Sequence, residues 1–144
     1  MLRPESKTRA RALQLLCAWE LQDRAPLADV ASRTVRLCRR GGPQVLEHAE
    51  GLAGAVVQDV GALDGLAADA SENWRLDRLG VVERNILRIA IRELTDETVM
   101  PDPTKSAKVI IDEAVQLAHW FGPVKSPGFV NGVLDRVARS LGRL

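Results

Sequence analysis

The sequence has few of the residues that support covalent, redox or metal chemistry. It contains two cysteines, Cys17 and Cys38, two histidines and no tyrosine. The cysteines form no CxxC pair, so neither a disulfide framework nor a zinc ribbon is expected. His48 and His119 have no metal-ligand spacing, and the sequence contains neither a P-loop nor a GxSxG motif. We therefore expect no enzyme activity, no metal and no cofactor.

Long apolar runs and aromatic residues are also scarce. No stretch of about 18 uncharged apolar residues could span a membrane, and the first residues lack the apolar core of a secretory signal. Three tryptophans and two phenylalanines are too few for a sheet that stacks bases on many aromatic rings. With 144 residues, 46% of them hydrophobic, we expect one cytoplasmic domain over residues 1–144.

The formal net charge of +1 hides an uneven distribution along the chain. Residues 1–40 hold nine basic and four acidic side chains, whereas residues 41–74 hold six acidic ones and no lysine or arginine. Such a pattern fits two partners of opposite charge. It also fits a scattered solvated surface, and composition alone favours that second interpretation.

Apolar residues recur at steps of three and four, which predicts an all-α protein. The expected helices cover 10–21, a segment after Pro26, 45–69, 79–94, 107–121 and a segment from 126 onwards. Segment 79–94 is apolar on more than one side, as in a central helix surrounded by others. Either Asp102 or Ser106 could cap the helix over 107–121, and Ser126 before Pro127 could cap the last one.

Several single residues carry expectations of their own. The interior glycines of 45–69 predict close helix packing, and Gly132 predicts either tight packing or a compensating contact nearby. For Asn131, a structural role and a ligand role are equally open. Cys17 is expected to be a packing residue. A row of three arginines, flanked by Glu83 and Glu93, predicts ion pairs on the helix surface: Arg84, Arg88 and Arg92.

Basic residues gather where the first helix is expected to begin. Lys7, Arg9 and Arg11 open this helix, and Arg3 lies just upstream. Together with the positive end of the helix they would attract a phosphate backbone. A frayed, solvated terminus explains the spacing equally well.

Several blocks, in order, make the sequence resemble the NusB family of transcription antitermination factors. They lie at 9–21, 63–66, 80–94, 108–118, 121–122 and 129–135, and the last contains Phe129-Val130-Asn131-Gly132. The resemblance implies an all-α fold of about seven helices in two small packed bundles. It also implies a non-enzymatic factor that binds single-stranded boxA-type RNA in ribosomal RNA leader transcripts.

The resemblance implies further partners: the small-subunit ribosomal protein NusE and the RNA polymerase antitermination complex with other Nus factors. The family's basic arm matches at Lys7 and Arg9, and Arg11 lies one helical step from a family cation. With Arg3, just upstream, and the last loop and helix, the predicted RNA-binding residues are Arg3, Lys7, Arg9, Arg11, Lys125, Ser126, Phe129 and Asn131. At the position of Lys125 the family usually has an acid, and at the position of Gly128 it usually has a lysine. In this chain the cation of the last loop therefore lies three residues earlier. Asp77 and Glu83 match acidic positions of the surface that contacts NusE.

Two other interpretations remain open on the sequence. One is an RNA-binding accessory domain like that fused to ribosomal RNA cytosine methyltransferases, although such a chain would be expected to continue beyond Leu144. The other is a helical adaptor that binds only proteins. An apolar helix face left uncovered would also allow two copies to form a homodimer.

Overall fold

The computed structural model describes residues 3–37, 42–71 and 79–144, with the side chains of 34–37 outside this description. Over these ranges the chain forms helices and no strand, which confirms the all-α prediction. The helices are α1 (Pro4–Leu21), α2 (Leu27–Leu37), α3 (Gly42–Gln58), α4 (Val60–Ala70), α5 (Val81–Thr95), α6 (Ala107–Phe121) and α7 (Ser126–Ser140).

The helices form two groups that share α5. In the first group α1 packs against α2 and α3, and in the second α6 packs against α7 while α4 contacts α7. Helix α5 contacts α1 and α3 on one side and α4, α6 and α7 on the other. From Ile86 onwards its apolar side chains are at most 2% exposed, as predicted for a central helix: Ile86, Leu87, Ile89, Ala90, Ile91 and Leu94.

The predicted helix over 45–69 is two helices. Helix α3 ends at Gln58 and α4 begins at Val60, with Asp59 between them. The backbone of Asp59 leaves the helical conformation, at φ −118° and ψ 20°. Its N–H bonds to the carbonyl of Val56 in a tighter final turn, and its carbonyl accepts the N–H of Leu63 to start α4. The apolar period continues across this bend, so periodicity did not reveal it.

The expected close packing at glycines is not observed. A Cβ placed on Gly51, Gly61 or Gly65 would meet nothing within 4 Å outside its own helix, and one on Gly54 would only touch Leu27. Gly132 is likewise exposed in the interior of α7, with open space at the Cβ position. The prediction of tight packing at Gly132 is therefore wrong.

The helix termini settle two questions about capping. The hydroxyl of Ser106 accepts the N–H of Val109 at 3.2 Å and caps α6, whereas Asp102 binds the N–H and hydroxyl of Thr104. Ser126 is not the cap of α7 but its first residue. Its buried hydroxyl has no hydrogen-bond partner among the described residues, so the predicted cap at Ser126 is wrong.

Replacing Gly132 by alanine is expected to raise the free energy of unfolding by about 1 kcal/mol, because glycine weakens a helix interior and the Cβ has room. Denaturant unfolding of the variant measures this change. Gly122→Ala is the matched control: its Cβ would lie 3.0 Å from the carbonyl oxygen of Ala118 and from the side chain of Ser126, so it should destabilise. A loss of stability in Gly132→Ala would contradict the open site.

Candidate nucleic-acid and protein interface

Arg9 lies inside the protein, in contrast to the other cations of the predicted arm. Its side chain is 1% exposed. Its Nε and Nη2 donate to the two carboxylate oxygens of Glu93 at 3.0 and 2.8 Å, and both Nη atoms donate to Asp102 at 3.3 Å. Arg9 therefore joins α1 to α5 and to the loop before α6. The expectation that Arg9 binds RNA is wrong for this arrangement, because its guanidinium is buried and already forms ion pairs with three carboxylates, the third being that of Glu113.

The ion pair of Arg9 is held in its charged form. Burial acts to lower the pKa of Arg9, but hydrogen bonds with Glu93 and the charge of Glu93 outweigh it, and the pKa is raised. Burial acts to raise the pKa of Asp102, but hydrogen bonds from Thr104 and the positive charges of Arg9 and Arg3 hold it below its usual value. Both groups are thus ionised at neutral pH.

Arg3 also faces acids, although its side chain is 41% exposed. Its guanidinium forms ion pairs with Glu113 on α6 and with Asp102. The hydroxyl of Ser6 donates to the same Glu113 carboxylate at 2.8 Å. The hydrogen bond with Glu113 is the main reason that the pKa of Arg3 is raised. Arg3 is therefore a cation at the protein surface whose position is fixed, and whose charge is partly neutralised, by these acids.

The remaining predicted RNA contacts differ in exposure. Lys7 is exposed on α1 one turn after Arg3, and Lys125 is exposed just before α7. Arg11 is half-buried, and its Nη1 donates to Gln14 at 2.8 Å. Asn131 is exposed, whereas Phe129 is half-buried against the core and Ser126 is 1% exposed. Lys7 and Lys125 are thus the most accessible cations of the predicted set.

A second buried ionic network joins α5 to α1 and α4. Arg88 forms a bidentate ion pair with Asp64, with hydrogen bonds of 2.7 and 2.9 Å, and donates a further hydrogen bond of 3.0 Å to Glu20. Arg84 and Asn85 donate to the same Glu20 carboxylate at 2.7 and 2.8 Å. Burial acts to raise the pKa of Glu20, but the hydrogen bonds from Arg84 and Asn85 lower it overall.

The arginine row of α5 forms ion pairs, as predicted, but Arg88 does so in the interior rather than on the helix surface, and most partners come from other segments of the chain. Arg84 and Arg88 bind acids of α1 and α4, and Arg92 lies 3.6 Å from Asp59 and from Asp96. Glu93 binds Arg9 instead. The flanking acids that the sequence indicated are not the main partners of the row.

The surface expected to contact a protein partner is only partly described. Asp77 lies outside the described residues. Glu83 is half-buried in the first turn of α5, next to Val82. Val82 lines a small apolar groove of about 180 Å³ together with Leu13, Gln14, Cys17 and Phe121. Phe121 is 46% exposed at the end of α6.

Cys17 is a packing residue, as predicted. It contacts the core from the wall of this groove, and its thiol lies 3.9 Å from the carbonyl oxygen of Val81. Burial is the main reason that the pKa of the Cys17 thiol is raised to about 11, so the thiol is protonated and unreactive at neutral pH.

A larger cleft lies between the start of α1 and one face of α6, and the sequence analysis did not identify it. Its volume is about 430 Å³, and its lining includes Arg3, Ser6, Asp112, Gln116 and Trp120. Trp120 is 40% exposed. The sequence held one indication of this cleft: Trp120 lies on the polar face of α6, outside its apolar stripe, where a tryptophan is unusual.

Two further observations concern membrane-spanning helices and metal-ligand clusters among the residues that the structure describes. None of the described helices is long and apolar enough to cross a membrane. The described residues also contain no group of three or more histidine, cysteine, aspartate or glutamate side chains that could hold a metal ion.

The fold class follows from solved structures. The chain is similar to T. maritima NusB, with a TM-score of 0.81, 30% identity, and coverage of 96% of this chain and 93% of the other. It is also similar to NusB in a structure of the antitermination factors NusB and NusE in complex with dsRNA, with a TM-score of 0.80, 25% identity, and coverage of 97% and 99%. The protein is thus an all-helical protein of the NusB fold.

Sequence comparison gives the family. The NusB family model matches residues 6–139. The transcription antitermination protein NusB of Sorangium cellulosum is 39% identical over 142 residues, which cover 96% of this chain and 94% of the relative. That of Anaeromyxobacter dehalogenans is 39% identical over 136 residues, covering 94% and 92%. The chain belongs to the NusB family, as the sequence resemblance predicted.

Replacing Arg9 by methionine is expected to lower the free energy of unfolding by about 3–5 kcal/mol, because Glu93 and Asp102 would keep buried charges without their partner. Chemical denaturation measures the loss. Lys7→Met is the control two residues away on the exposed surface, where a change within about 0.5 kcal/mol is expected. Equal stability of the two variants would show that the ion pair contributes little.

Proposed function

We propose that the protein is a transcription antitermination factor that binds boxA-type single-stranded RNA together with the ribosomal protein NusE, within the RNA polymerase antitermination complex. The observation that carries this proposal is the match, over nearly the whole chain, to a structure of NusB and NusE in complex with dsRNA. The single-stranded boxA sequence is part of the proposal and comes from the family resemblance. The curated relatives, which are named transcription antitermination proteins, support it. The proposal includes no catalytic step.

The proposed RNA surface runs from the start of α1 to the start of α7. Lys7 and Lys125 supply exposed cations to phosphates, and Arg3 adds one at the rim of the cleft that is held by ion pairs. Arg11 extends the surface along α1, and the exposed Asn131 offers an amide to a base or a sugar. Phe129 and Ser126 lie beneath this surface and support the backbone of α7.

The proposed protein surface lies at the start of α5. Glu83 supplies negative charge beside the apolar groove at Val82 and Phe121, an arrangement that suits a basic ribosomal protein with an apolar anchor. Asp77 is included on the sequence resemblance. The RNA and protein surfaces use different ends of α1, since Arg3 and Lys7 open the helix whereas Cys17 lies near its end.

Simultaneous replacement of Lys7 and Lys125 by alanine is expected to weaken binding to boxA RNA and to flatten its salt dependence, because two phosphate contacts are lost. For single strands, each lost phosphate contact makes the negative slope of log K against log salt shallower by about 0.7. Fluorescence anisotropy titrations of labelled boxA RNA at several salt concentrations measure both quantities. A scrambled oligonucleotide tests whether the binding depends on sequence.

The matched control for this experiment is Arg139→Ala. Arg139 is an exposed cation near the other end of α7, where it pairs with Asp135, so its loss should leave the slope unchanged. An unchanged slope in the double lysine variant would contradict the proposed surface. Equal affinity of the unaltered protein for boxA and scrambled RNA would contradict the proposed function itself.

Glu83→Lys is expected to weaken binding of the NusE-type partner by at least tenfold while leaving affinity for RNA alone within about twofold, because it reverses one charge at the protein surface only. Isothermal titration with the purified ribosomal protein measures the first quantity. Glu47→Lys, an exposed charge reversal on α3, controls for the change in net charge. Equal loss of RNA and protein binding would show that the two surfaces are not separate.

A further inference from the structure

Trp120 differs from Trp19, the other tryptophan among the described residues. Trp19 is 4% exposed, and the guanidinium carbon of Arg24 lies 4.9 Å from its ring centroid. Trp120 is 40% exposed and forms part of the cleft wall. Phe121 meets it nearly at right angles, at 83° with ring centroids 6.3 Å apart, so Phe121 is not stacked in parallel on it. Trp120 thus presents a large aromatic surface at a cleft beside the basic start of α1.

Side chains of α6 line one wall of the cleft. Asp112, Gln116 and Trp120 follow one another at intervals of four residues, so they lie along one face of α6. Arg3 and Ser6 form the wall contributed by α1. The cleft therefore combines an aromatic surface, an amide, a carboxylate and a cation, within a volume at the lower end of the range typical of small-ligand sites.

The charge of the cleft excludes a phosphate as its occupant. The carboxylate of Glu113 is already engaged by Arg3, Ser6 and Arg9. Asp112 is exposed and has no ion pair or hydrogen bond with any residue that the structure describes. The Asp112 carboxylate, which has no cationic partner among the described residues, repels an anion, whereas an uncharged group with N–H donors would satisfy it.

We propose that this cleft holds one unpaired guanine of the bound RNA, stacked on Trp120, with its N–H donors on Asp112. A guanine edge presents two parallel donors, N1–H and N2–H, which match the two oxygens of a carboxylate. Adenine and cytosine each place a ring acceptor beside their amino group, and uracil presents a single donor between two carbonyl oxygens. The side-chain amide of Gln116 has both a donor and an acceptor, so it can bind the polar atoms of the guanine that Asp112 does not contact.

The neighbouring cations fit this arrangement. Lys7 lies one helical turn beyond Arg3 on α1, and Lys125 follows Trp120 by five residues, after the turn at Gly122. Each wall of the cleft is thus followed along the chain by an exposed lysine, which is available to the phosphates of a strand that places one base there. This inference rests on the proposed RNA-binding function and adds to it a base-specific contact.

The first test compares Trp120→Leu with the unaltered full-length protein in titrations of boxA-type RNA. We expect affinity to fall by about 5- to 100-fold, as for loss of one base–aromatic stack, with the salt slope unchanged because the phosphate contacts persist. Trp120→Phe should recover most of the loss. Leu21→Ala, which shortens an exposed apolar side chain at the end of α1, outside the lining of both the cleft and the groove, should change affinity less than twofold.

The second test identifies the base. Each guanine of the RNA is replaced in turn by inosine, which lacks the N2 amino group. At one position inosine should weaken binding to the unaltered protein by about tenfold, and in Asp112→Asn the same replacement should have little further effect. If the loss of affinity from inosine at every position simply adds to the loss from Asp112→Asn, the proposed contact between Asp112 and guanine is wrong.

The outcomes separate the inference from the function. If the unaltered protein prefers boxA RNA but Trp120→Leu binds as tightly, the inference is wrong and the proposed function stands. If Trp120→Leu loses affinity for the ribosomal partner alone, Trp120 belongs to a protein surface and the inference is again wrong. If the unaltered protein shows no preference for boxA RNA, the proposed function and the inference both fail.

Discussion

The fold depends on one buried cation, because Arg9 is the point at which three separate segments meet. A guanidinium with five donors can bind Glu93 of α5 and Asp102 of the following loop together, which the single ammonium of a lysine could not do with the same geometry. Apolar contacts favour burial but are not directional, whereas these hydrogen bonds fix how α1 crosses the others. The positions of Lys7 and of the cleft at Arg3 and Ser6 follow from that crossing.

Helix α5 carries a second network at its opposite end, and the pair of networks explains how two small bundles hold one relative orientation. Arg88 binds Asp64 of α4 and Glu20 of α1, so the helices of both groups are hydrogen-bonded to α5 through side chains as well as packed on it. Each network includes a part of α1, with Arg9 near its start and Glu20 near its end. The surface proposed for RNA and the one proposed for protein are thus both built on α1 and held by different ion pairs.

Periodicity predicted most helices because burial of an apolar stripe is a local property of the sequence. The buried residues of α5, the stripe of α6 from Ala107 to Ala118 and the Ser106 cap could all be found in this way. The break at Asp59 could not, because the apolar period continues across it. Burial of Arg9 could not be found either, since its acidic partners lie more than 80 residues away in sequence. The cleft depends on the same long-range pairing, so its wall from α1 could not be predicted, although the tryptophan on the polar face of α6 was visible in the sequence.

These ion pairs change what the charge of the sequence means for binding. The basic start of the chain suggests a strong field for RNA, but Arg9 is neutralised internally and Arg3 is shared with Glu113 and Asp102. Few exposed cations are then left on the proposed RNA surface, and each phosphate contact adds only a salt-sensitive increment. Tight and selective binding of RNA by this chain must therefore draw on contacts that do not depend on charge. A stacking surface and a base-reading carboxylate beside the fixed Arg3 would supply such contacts, and a bound ribosomal protein would add its own cations.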